Sequence, residues 1–140
     1  MTYRYVVGFA FTPTRQAVLL IRKNRPRWQA GYLNGLGGSL RDGETYEAAM
    51  VRKFKEESGL DTTEADWGHF LTITGSDYQL RCFMTTHPSV AHTKESPTDE
   101  ALHVVAIHDI PNLDVVGNLQ WMIPMALDRQ LERPVEIRSL

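Results

Sequence analysis

The feature of this sequence that most constrains the fold is a glycine-rich turn that runs directly into a long helical segment. The turn occupies residues 37–44 and reads Gly-Gly-Ser-Leu-Arg-Asp-Gly-Glu. Residues 45–58 contain neither Gly nor Pro, carry regularly placed apolar side chains, and are followed by Gly59, a typical C-terminal stop. The pattern predicts a helix from Thr45 to Ser58 that begins immediately after the turn.

Charged side chains converge on one patch of the predicted helix. Lys53, Glu56 and Glu57 share a face, because residues three or four apart on a helix are neighbours. The adjacent glutamates repel each other, unless a hard cation that prefers oxygen ligands lies between them and a pyrophosphate. The alternative is an ordinary solvated face with Lys53 and Glu57 as a surface pair. The glycine turn, whose backbone can approach a metal or phosphate closely, favours the functional interpretation.

Strand-like segments, rich in β-branched and aromatic residues, surround the predicted helix. They span residues 3–11, 17–22, 67–73, 78–85 and 102–107. A closing helix is predicted over residues 119–131, with Asn118 as its N-cap. This order predicts an α+β fold in which a mixed β-sheet is sandwiched between helices.

The segment between the second strand and the helix, residues 24–38, is rich in Gly, Pro, Asn and Arg. We predict a long ordered loop rather than a linker, because it contains apolar side chains that can anchor it. These side chains are Trp28, Tyr32, Leu33 and Leu36. A short basic cluster precedes them, and one of its members is a candidate for phosphate contact. The cluster consists of Arg22, Lys23, Arg25 and Arg27.

Composition limits the remaining possibilities. A length of 140 residues predicts a single domain over residues 1–140. The net charge of −2 gives no general attraction to nucleic acid or to an anionic membrane, so phosphate binding must be local. The apolar runs are far shorter than the ~20 residues that span a bilayer. Cys82 is the only cysteine, and with no secretory signal visible the cytoplasm is the expected location.

The turn and helix together resemble the Nudix box. That motif is written as Gly, five residues, Glu, seven residues, Arg-Glu, an aliphatic residue, any residue, Glu-Glu, any residue, Gly and an aliphatic residue. The matching positions are Gly38, Glu44, Arg52, Glu56, Glu57, Gly59 and Leu60. Phe54 replaces an aliphatic residue, and Lys53 stands where the motif has glutamate.

The resemblance implies the Nudix fold and a metal-dependent hydrolysis of a nucleoside diphosphate linked to another group. It implies Mg²⁺ or Mn²⁺ ligands at Glu56 and Glu57 and at the backbone carbonyl of Gly37. It also implies that Arg52 and Glu44 brace the glycine turn against the helix. A homodimer is a further expectation that rests on the resemblance alone.

An additional acidic metal ligand is expected in a later loop. The resemblance places it at Glu100, because Asp99-Glu100 is followed by a strand and then by Asp109-Ile110-Pro111. Glu95 and Asp99 are the alternatives.

Lys53 changes what the motif predicts, because it puts an ammonium where the family has a carboxylate that binds metal. Two unit charges about 4 Å apart interact by ~4 kcal/mol at an effective dielectric constant of ~20, so at least one metal subsite should be lost. Three outcomes follow: a slower enzyme with fewer metals, an enzyme whose base lies elsewhere, or a nucleotide-binding or regulatory module without turnover. Lys53 is also a candidate to fill the cation position itself.

The segment from Trp28 to Gly38 resembles the loop before the box in enzymes that act on oxidised purine nucleoside triphosphates. Trp28 would then stack on the base and Asn34 would hydrogen-bond to it, although core packing is the alternative for Trp28. Gly38 would approach the substrate, and so would Asn118 in a second similar segment. That segment lacks the expected acidic pair, which argues against specificity for oxidised guanine. The predicted substrate is therefore a purine nucleoside or deoxynucleoside triphosphate, cleaved to the monophosphate and pyrophosphate, and other nucleoside diphosphate derivatives are the alternative.

Overall fold

The computed structural model describes residues 2–93 and 95–139. The strands are β1 (Tyr3–Phe11), β2 (Ala17–Arg22), β3 (Leu33–Asn34), β4 (Leu36–Ser39), β5 (Gly68–Thr74), β6 (Tyr78–Thr86), β7 (Leu102–Ala106) and β8 (Val135–Arg138). The α-helices are α1 (Tyr46–Ser58) and α2 (Leu119–Leu127). Neither of these helices is long and apolar enough to cross a membrane, and no other described helix is.

The strands form one mixed sheet in the order β3-β2-β1-β6-β5-β8. Strand β4 pairs with the first half of β1, and β7 pairs with β2. The β1–β6 and β5–β8 pairs are parallel, and the other pairs are antiparallel. The predicted α+β fold with a mixed sheet is confirmed.

The sheet lies between the two helices because alternate residues of each strand face opposite sides. In β1, Phe9 and Phe11 belong to the buried cluster that contains the apolar side chains of α2, whereas Val6 and Ala10 belong to the cluster around α1. Gly8 faces α1, where a side-chain Cβ would lie only 2.6 Å from Cε of Met50. The absence of a side chain at Gly8 therefore lets α1 pack close to the sheet.

Helix α1 has the bounds that its sequence predicts. The hydroxyl of Thr45 accepts a hydrogen bond from the backbone N–H of Ala48 (3.1 Å), which caps the first turn. Gly59 adopts the left-handed conformation with φ of 78°, and its N–H donates to the carbonyl of Lys55. These two caps fix where the helix starts and ends relative to the glycine turn.

The predicted loop before α1 contains two short strands, and in this respect the prediction was wrong. Leu33 in β3 and Leu36 in β4 are buried as expected, but Trp28 and Tyr32 are 69% and 44% exposed. The two aromatic side chains therefore do not anchor the segment. Its backbone is held by β1 and β2, whose edges supply hydrogen-bond partners that the local sequence does not reveal.

The C-terminal region also differs from its prediction. Helix α2 continues past Pro124 but ends at Leu127 rather than at Leu131, and the side chain of Asn118 makes no capping hydrogen bond. The guanidinium of Arg133 donates to backbone carbonyls at the end of the helix, including that of Ala126 at 2.7 Å. The chain then turns and adds β8, an edge strand that the sequence prediction missed.

Candidate active site

A cleft of about 830 Å³ lies beside β4 and α1. Among its lining residues are most of the side chains and glycines that the sequence singled out: Trp28, Asn34, Gly37, Gly38, Lys53, Glu56, Glu57, Glu100 and Asn118. Arg52 and Glu44 are not among the lining residues. The fold thus brings together residues from four separate parts of the chain.

Arg52 and Glu44 join the glycine turn to α1. Nε and one terminal nitrogen of Arg52 donate to the two carboxylate oxygens of Glu44, each at 2.8 Å. Arg52 also donates to the carbonyl of Ser39 and to Glu56, and Glu44 accepts a bond from the N–H of Arg41. The hydrogen bonds from Arg52 are the main reason that the pKa of Glu44 is lowered to about 2. This arrangement agrees with the bracing role that the motif implies.

The lowered pKa of Glu44 makes a prediction about stability. A carboxyl group with a depressed folded-state pKa stabilises the protein above its unfolded-state pKa, and that stabilisation is lost as the pH falls. The difference in unfolding free energy between wild type and Glu44→Gln should therefore be about 2 kcal/mol at pH 7. It should shrink as the pH falls from about 4.5 towards 2. Urea unfolding at several pH values measures this difference, and a difference that did not change with pH would contradict the prediction.

Glu57 is buried at the inner end of the cleft. One of its carboxylate oxygens accepts a hydrogen bond from the backbone N–H of Gly37 (2.8 Å), and the side chain is only 5% exposed. Burial raises the pKa of Glu57, although the charges of Lys53 and Lys23 act in the opposite direction. Within residues 2–93 and 95–139, no side chain or backbone group hydrogen-bonds to its second oxygen, Oε2. That oxygen is available to a ligand in the cleft.

Lys53 lies next to Glu56 in the same cleft. Its Nζ is 3.4 Å from Oε2 of Glu56, while Oε1 of Glu56 accepts a bond from Arg52 at 2.9 Å. Burial acts to raise the pKa of Glu56, but the Arg52 hydrogen bond and the charge of Lys53 outweigh it and lower that pKa. Both oxygens of Glu56 are therefore engaged by cationic side chains.

Glu100 reaches the cleft from the loop before β7. It accepts bonds from Nζ of Lys23 (3.2 Å) and from the backbone N–H of Asn24 (2.6 Å), which together outweigh burial and lower its pKa. The two alternatives to Glu100 lie outside the cleft: Asp99 is exposed and paired with Arg25, and Glu95 is exposed. Glu100 is thus the one of the three that faces Glu56 and Glu57.

The residues predicted to bind a base also line the cleft. Trp28 is exposed rather than packed in the core, which excludes the core-packing alternative. Asn34 is half-buried, and its amide is already used: its oxygen accepts from the N–H of Gly35 and its nitrogen donates to Gln29. Asn118 is exposed beside them. A base would therefore meet an open aromatic face and an amide that is held in a fixed orientation.

Sequence reasoning missed part of the site. Lys23 was recognised only as one of four basic residues, and its pairing with Glu100 joins positions 77 residues apart. The apolar wall of the cleft was also missed. It consists of Ile73, Leu80, Val116, Leu119 and Met122. Alternation along the strands predicts that such residues are buried, but it does not show which of them face a cleft.

The carboxylates fit a divalent cation by donor type, since Mg²⁺ and Mn²⁺ prefer oxygen ligands and both Glu56 and Glu57 offer them. The arrangement nevertheless differs from a preformed metal centre. In the described part of the chain, no group of three or more His, Cys, Asp or Glu side chains is placed to hold a metal ion. On α1, the ammonium of Lys53 stands where the motif has a further glutamate.

Comparisons with known proteins agree with this geometry. The family model described as the NUDIX domain matches residues 2–133. The chain therefore belongs to the Nudix family, whose hydrolases act on nucleoside diphosphate-linked substrates and generally use divalent metals. A search of curated protein sequences finds no match.

Several solved structures share the fold. A MutT structure from work on the Aliivibrio salmonicida and Vibrio cholerae proteins is 19% identical, with a TM-score of 0.75 over 91% of this chain and 98% of that one. A NUDIX-family hydrolase from Clostridium perfringens is 22% identical, with a TM-score of 0.70 over 94% and 99%. The NUDIX domain of Shewanella oneidensis NrtR, in complex with ADP ribose, is 15% identical, with a TM-score of 0.71 over 94% and 90%.

Proposed function

We propose that this protein hydrolyses a purine nucleoside or deoxynucleoside triphosphate to the monophosphate and pyrophosphate. The observation that carries the proposal is that one cleft contains both the acidic end of the Nudix box and the exposed face of Trp28. Its volume of about 830 Å³ is within the range of ligand sites, which runs to about 1,000 Å³. The reaction needs a phosphate site and a base site in the same cavity, and the residues proposed for both line this cleft.

Each residue of the cleft has a distinct task in this proposal. Trp28 stacks on the base, and the oriented amide of Asn34 contacts its edge together with Asn118. Gly38 leaves room for the phosphate chain. Arg52 and Glu44 hold the turn against α1 and do not touch the substrate, so they are positioning residues.

The acidic end carries the chemistry. A divalent cation held by Glu56, Glu57 and the carbonyl of Gly37, with Glu100 near by, would supply electrophilic stabilisation of the phosphoryl oxygens. Among the chain's own groups, the free oxygen of Glu57 is the one positioned to orient an attacking water. The apolar wall that includes Leu80 and Met122 offers the substrate an apolar surface to pack against.

A hydrolysis screen tests the proposal. Purified protein is incubated with each purine and pyrimidine nucleoside triphosphate, ADP-ribose and dinucleoside polyphosphates, with Mg²⁺ or with Mn²⁺, and the products are separated by anion-exchange chromatography. We expect release of a purine monophosphate and pyrophosphate. Absence of turnover with every substrate would refute the enzymatic proposal.

Trp28→Ala tests the proposed stacking on the base. This variant should raise KM for the purine nucleotide more than it lowers kcat, because stacking contributes to binding in the ground state as well.

A second candidate function is nucleotide binding without turnover, as in a regulatory module. Lys53 favours this candidate because it engages Glu56 in place of a metal ligand. The structural similarity to an ADP-ribose-bound NUDIX domain makes ADP-ribose the first ligand to test. Calorimetry that detects ADP-ribose or nucleotide binding, combined with no turnover in the screen, would favour this candidate over the enzyme.

A further inference from the structure

We infer that Lys53 is a built-in cation that binds the substrate's phosphates directly, so that nucleotide binding by this protein does not require a divalent metal. The inference rests on the proposed function only for the identity of the ligand, a chain of phosphates. It differs from what the Nudix box implies, where a carboxylate at this position binds metal.

The position of the Lys53 ammonium supports the inference. Lys53 Nζ lies in the cleft, 3.4 Å from Glu56 Oε2, and the side chain is 22% exposed. The guanidinium of Arg52 already occupies the other oxygen of the same carboxylate. The ammonium therefore neutralises the carboxylate that a metal would otherwise contact, while it keeps hydrogen-bond donors free for a second partner.

The contact between Lys53 and the glycine turn also supports the inference. A Cβ at Gly38 would lie 2.6 Å from Cε of Lys53 and 3.1 Å from its Nζ. The end of the lysine therefore lies directly against the backbone of the turn, in the space that a side chain at position 38 would occupy. In the proposed function the phosphates bind at this turn, so the ammonium lies where they would bind.

The charge of the cleft lining also supports the inference. Among the residues that the structure describes, three basic residues line the cleft, Lys23, Arg25 and Lys53, and three acidic residues, Glu56, Glu57 and Glu100. Their formal charges cancel. With glutamate at position 53 the same residues would carry a formal charge of −2, which would repel a polyanion unless metal cations neutralised it. With Lys53 in place, this described lining is balanced without a metal cation.

Lys23, which also lines the cleft, is paired with a carboxylate as Lys53 is. Its Nζ is 3.2 Å from Glu100, and the pair is largely buried, with 16% and 5% of the two side chains exposed. Glu56 and Glu100, the carboxylates that could bind a metal together with Glu57, are thus each already paired with a lysine. Of the three acidic residues, only Glu57 keeps an oxygen without a protein partner among the residues that the structure describes.

Binding of inorganic triphosphate, measured by calorimetry in EDTA and again with Mn²⁺, tests the inference without involving the base or the chemistry. We expect wild type to bind triphosphate in EDTA and Lys53→Met to bind it at least about tenfold more weakly, as for loss of a charge-assisted hydrogen bond. Lys55→Met is the matched control, because Lys55 is on the same helix but is exposed, pairs with Asp61 and does not line the cleft. It should bind like wild type.

The reciprocal substitution gives a second measurement. Lys53→Glu should lose triphosphate binding in EDTA and regain it with Mn²⁺, and it should bind Mn²⁺ itself more tightly than wild type by electron paramagnetic resonance. Equal urea-unfolding midpoints for the variants and wild type would show that the differences arise in the cleft and not from unfolding.

The outcomes separate this inference from the proposed function. Wild type that binds triphosphate only with Mn²⁺, or Lys53→Met that binds it as tightly as wild type in EDTA, overturns the inference even if nucleotides are hydrolysed. Binding that depends on Lys53 in EDTA supports the inference even if no nucleotide is hydrolysed. Wild type that binds no triphosphate under either condition also overturns the inference, and the hydrolysis screen then decides the proposed function separately.

Discussion

Replacing Glu57 by glutamine is expected to lower the rate of nucleotide hydrolysis by at least about 100-fold, which corresponds to ~2.7 kcal/mol of lost transition-state stabilisation. Glutamine has the same shape, and its amide oxygen can still accept the hydrogen bond from the N–H of Gly37. What it lacks is the negative charge at the buried end of the cleft. The measurement is kcat/KM for the best substrate of the screen, and a variant that kept more than a tenth of the wild-type value would contradict the prediction.

The loss of activity in Glu57→Gln should not come from loss of stability. Burial raises the pKa of Glu57 in the folded protein, so its ionisation costs folding free energy as the pH rises through the unfolded-state pKa. A neutral glutamine avoids that cost, and at pH 7 the variant should unfold at the same urea concentration as wild type or at a higher one. Glu47→Gln is the control, because Glu47 lies on α1 but does not line the cleft. We expect it to retain full activity.

The turn, α1 and the motif could be predicted because their signals are local. Thr45 caps the helix and Gly59 ends it, as the helical pattern predicts. The pairing of Arg52 with Glu44 was implied by the resemblance of this segment to the Nudix box. The hydrogen bond from the N–H of Gly37 to Glu57 was not predicted, because Gly37 lies in β4, whose position depends on β1.

The strands β4 and β8 and the Lys23–Glu100 pair could not be predicted, because each depends on a distant segment. The sequence of β4 is typical of a glycine-rich loop, and the segment forms a strand because it pairs with β1. Strand β8 is a short alternating segment that pairs with β5. Glu100 was expected as a metal ligand, and the sequence alone did not show that it would meet Lys23.

The exposure of Trp28 shows a related limit. The sequence leaves stacking on a base and core packing open for this residue, and its side chain is 69% exposed. Aromatic side chains occur both in cores and at binding surfaces, so the residue type alone does not distinguish the two positions. Only the path of the chain determines that Trp28 borders the cleft.

Replacing Phe54 by alanine is expected to produce the largest loss of stability, about 3–5 kcal/mol. Phe54 is fully buried between α1 and the sheet, and its ring meets that of Trp67 edge-on with 5.1 Å between the centroids. Since a domain of this kind has a total stability of about 5–15 kcal/mol, the loss would remove a large part of it. Urea unfolding followed by tryptophan fluorescence measures the effect, and a loss below about 1 kcal/mol would contradict it.

Phe54→Leu is the matched control, because the Nudix box has an aliphatic residue at this position. Leucine fills more of the space than alanine and should cost about 1–2 kcal/mol, with hydrolysis retained at temperatures where the protein stays folded. Phe54 lies one turn before Glu57, and both are buried on the face of α1 that packs against the sheet. Phe54→Ala should therefore also lower kcat in the folded protein, because the cavity lets α1 shift relative to Gly37 and loosens the hydrogen bond that positions Glu57.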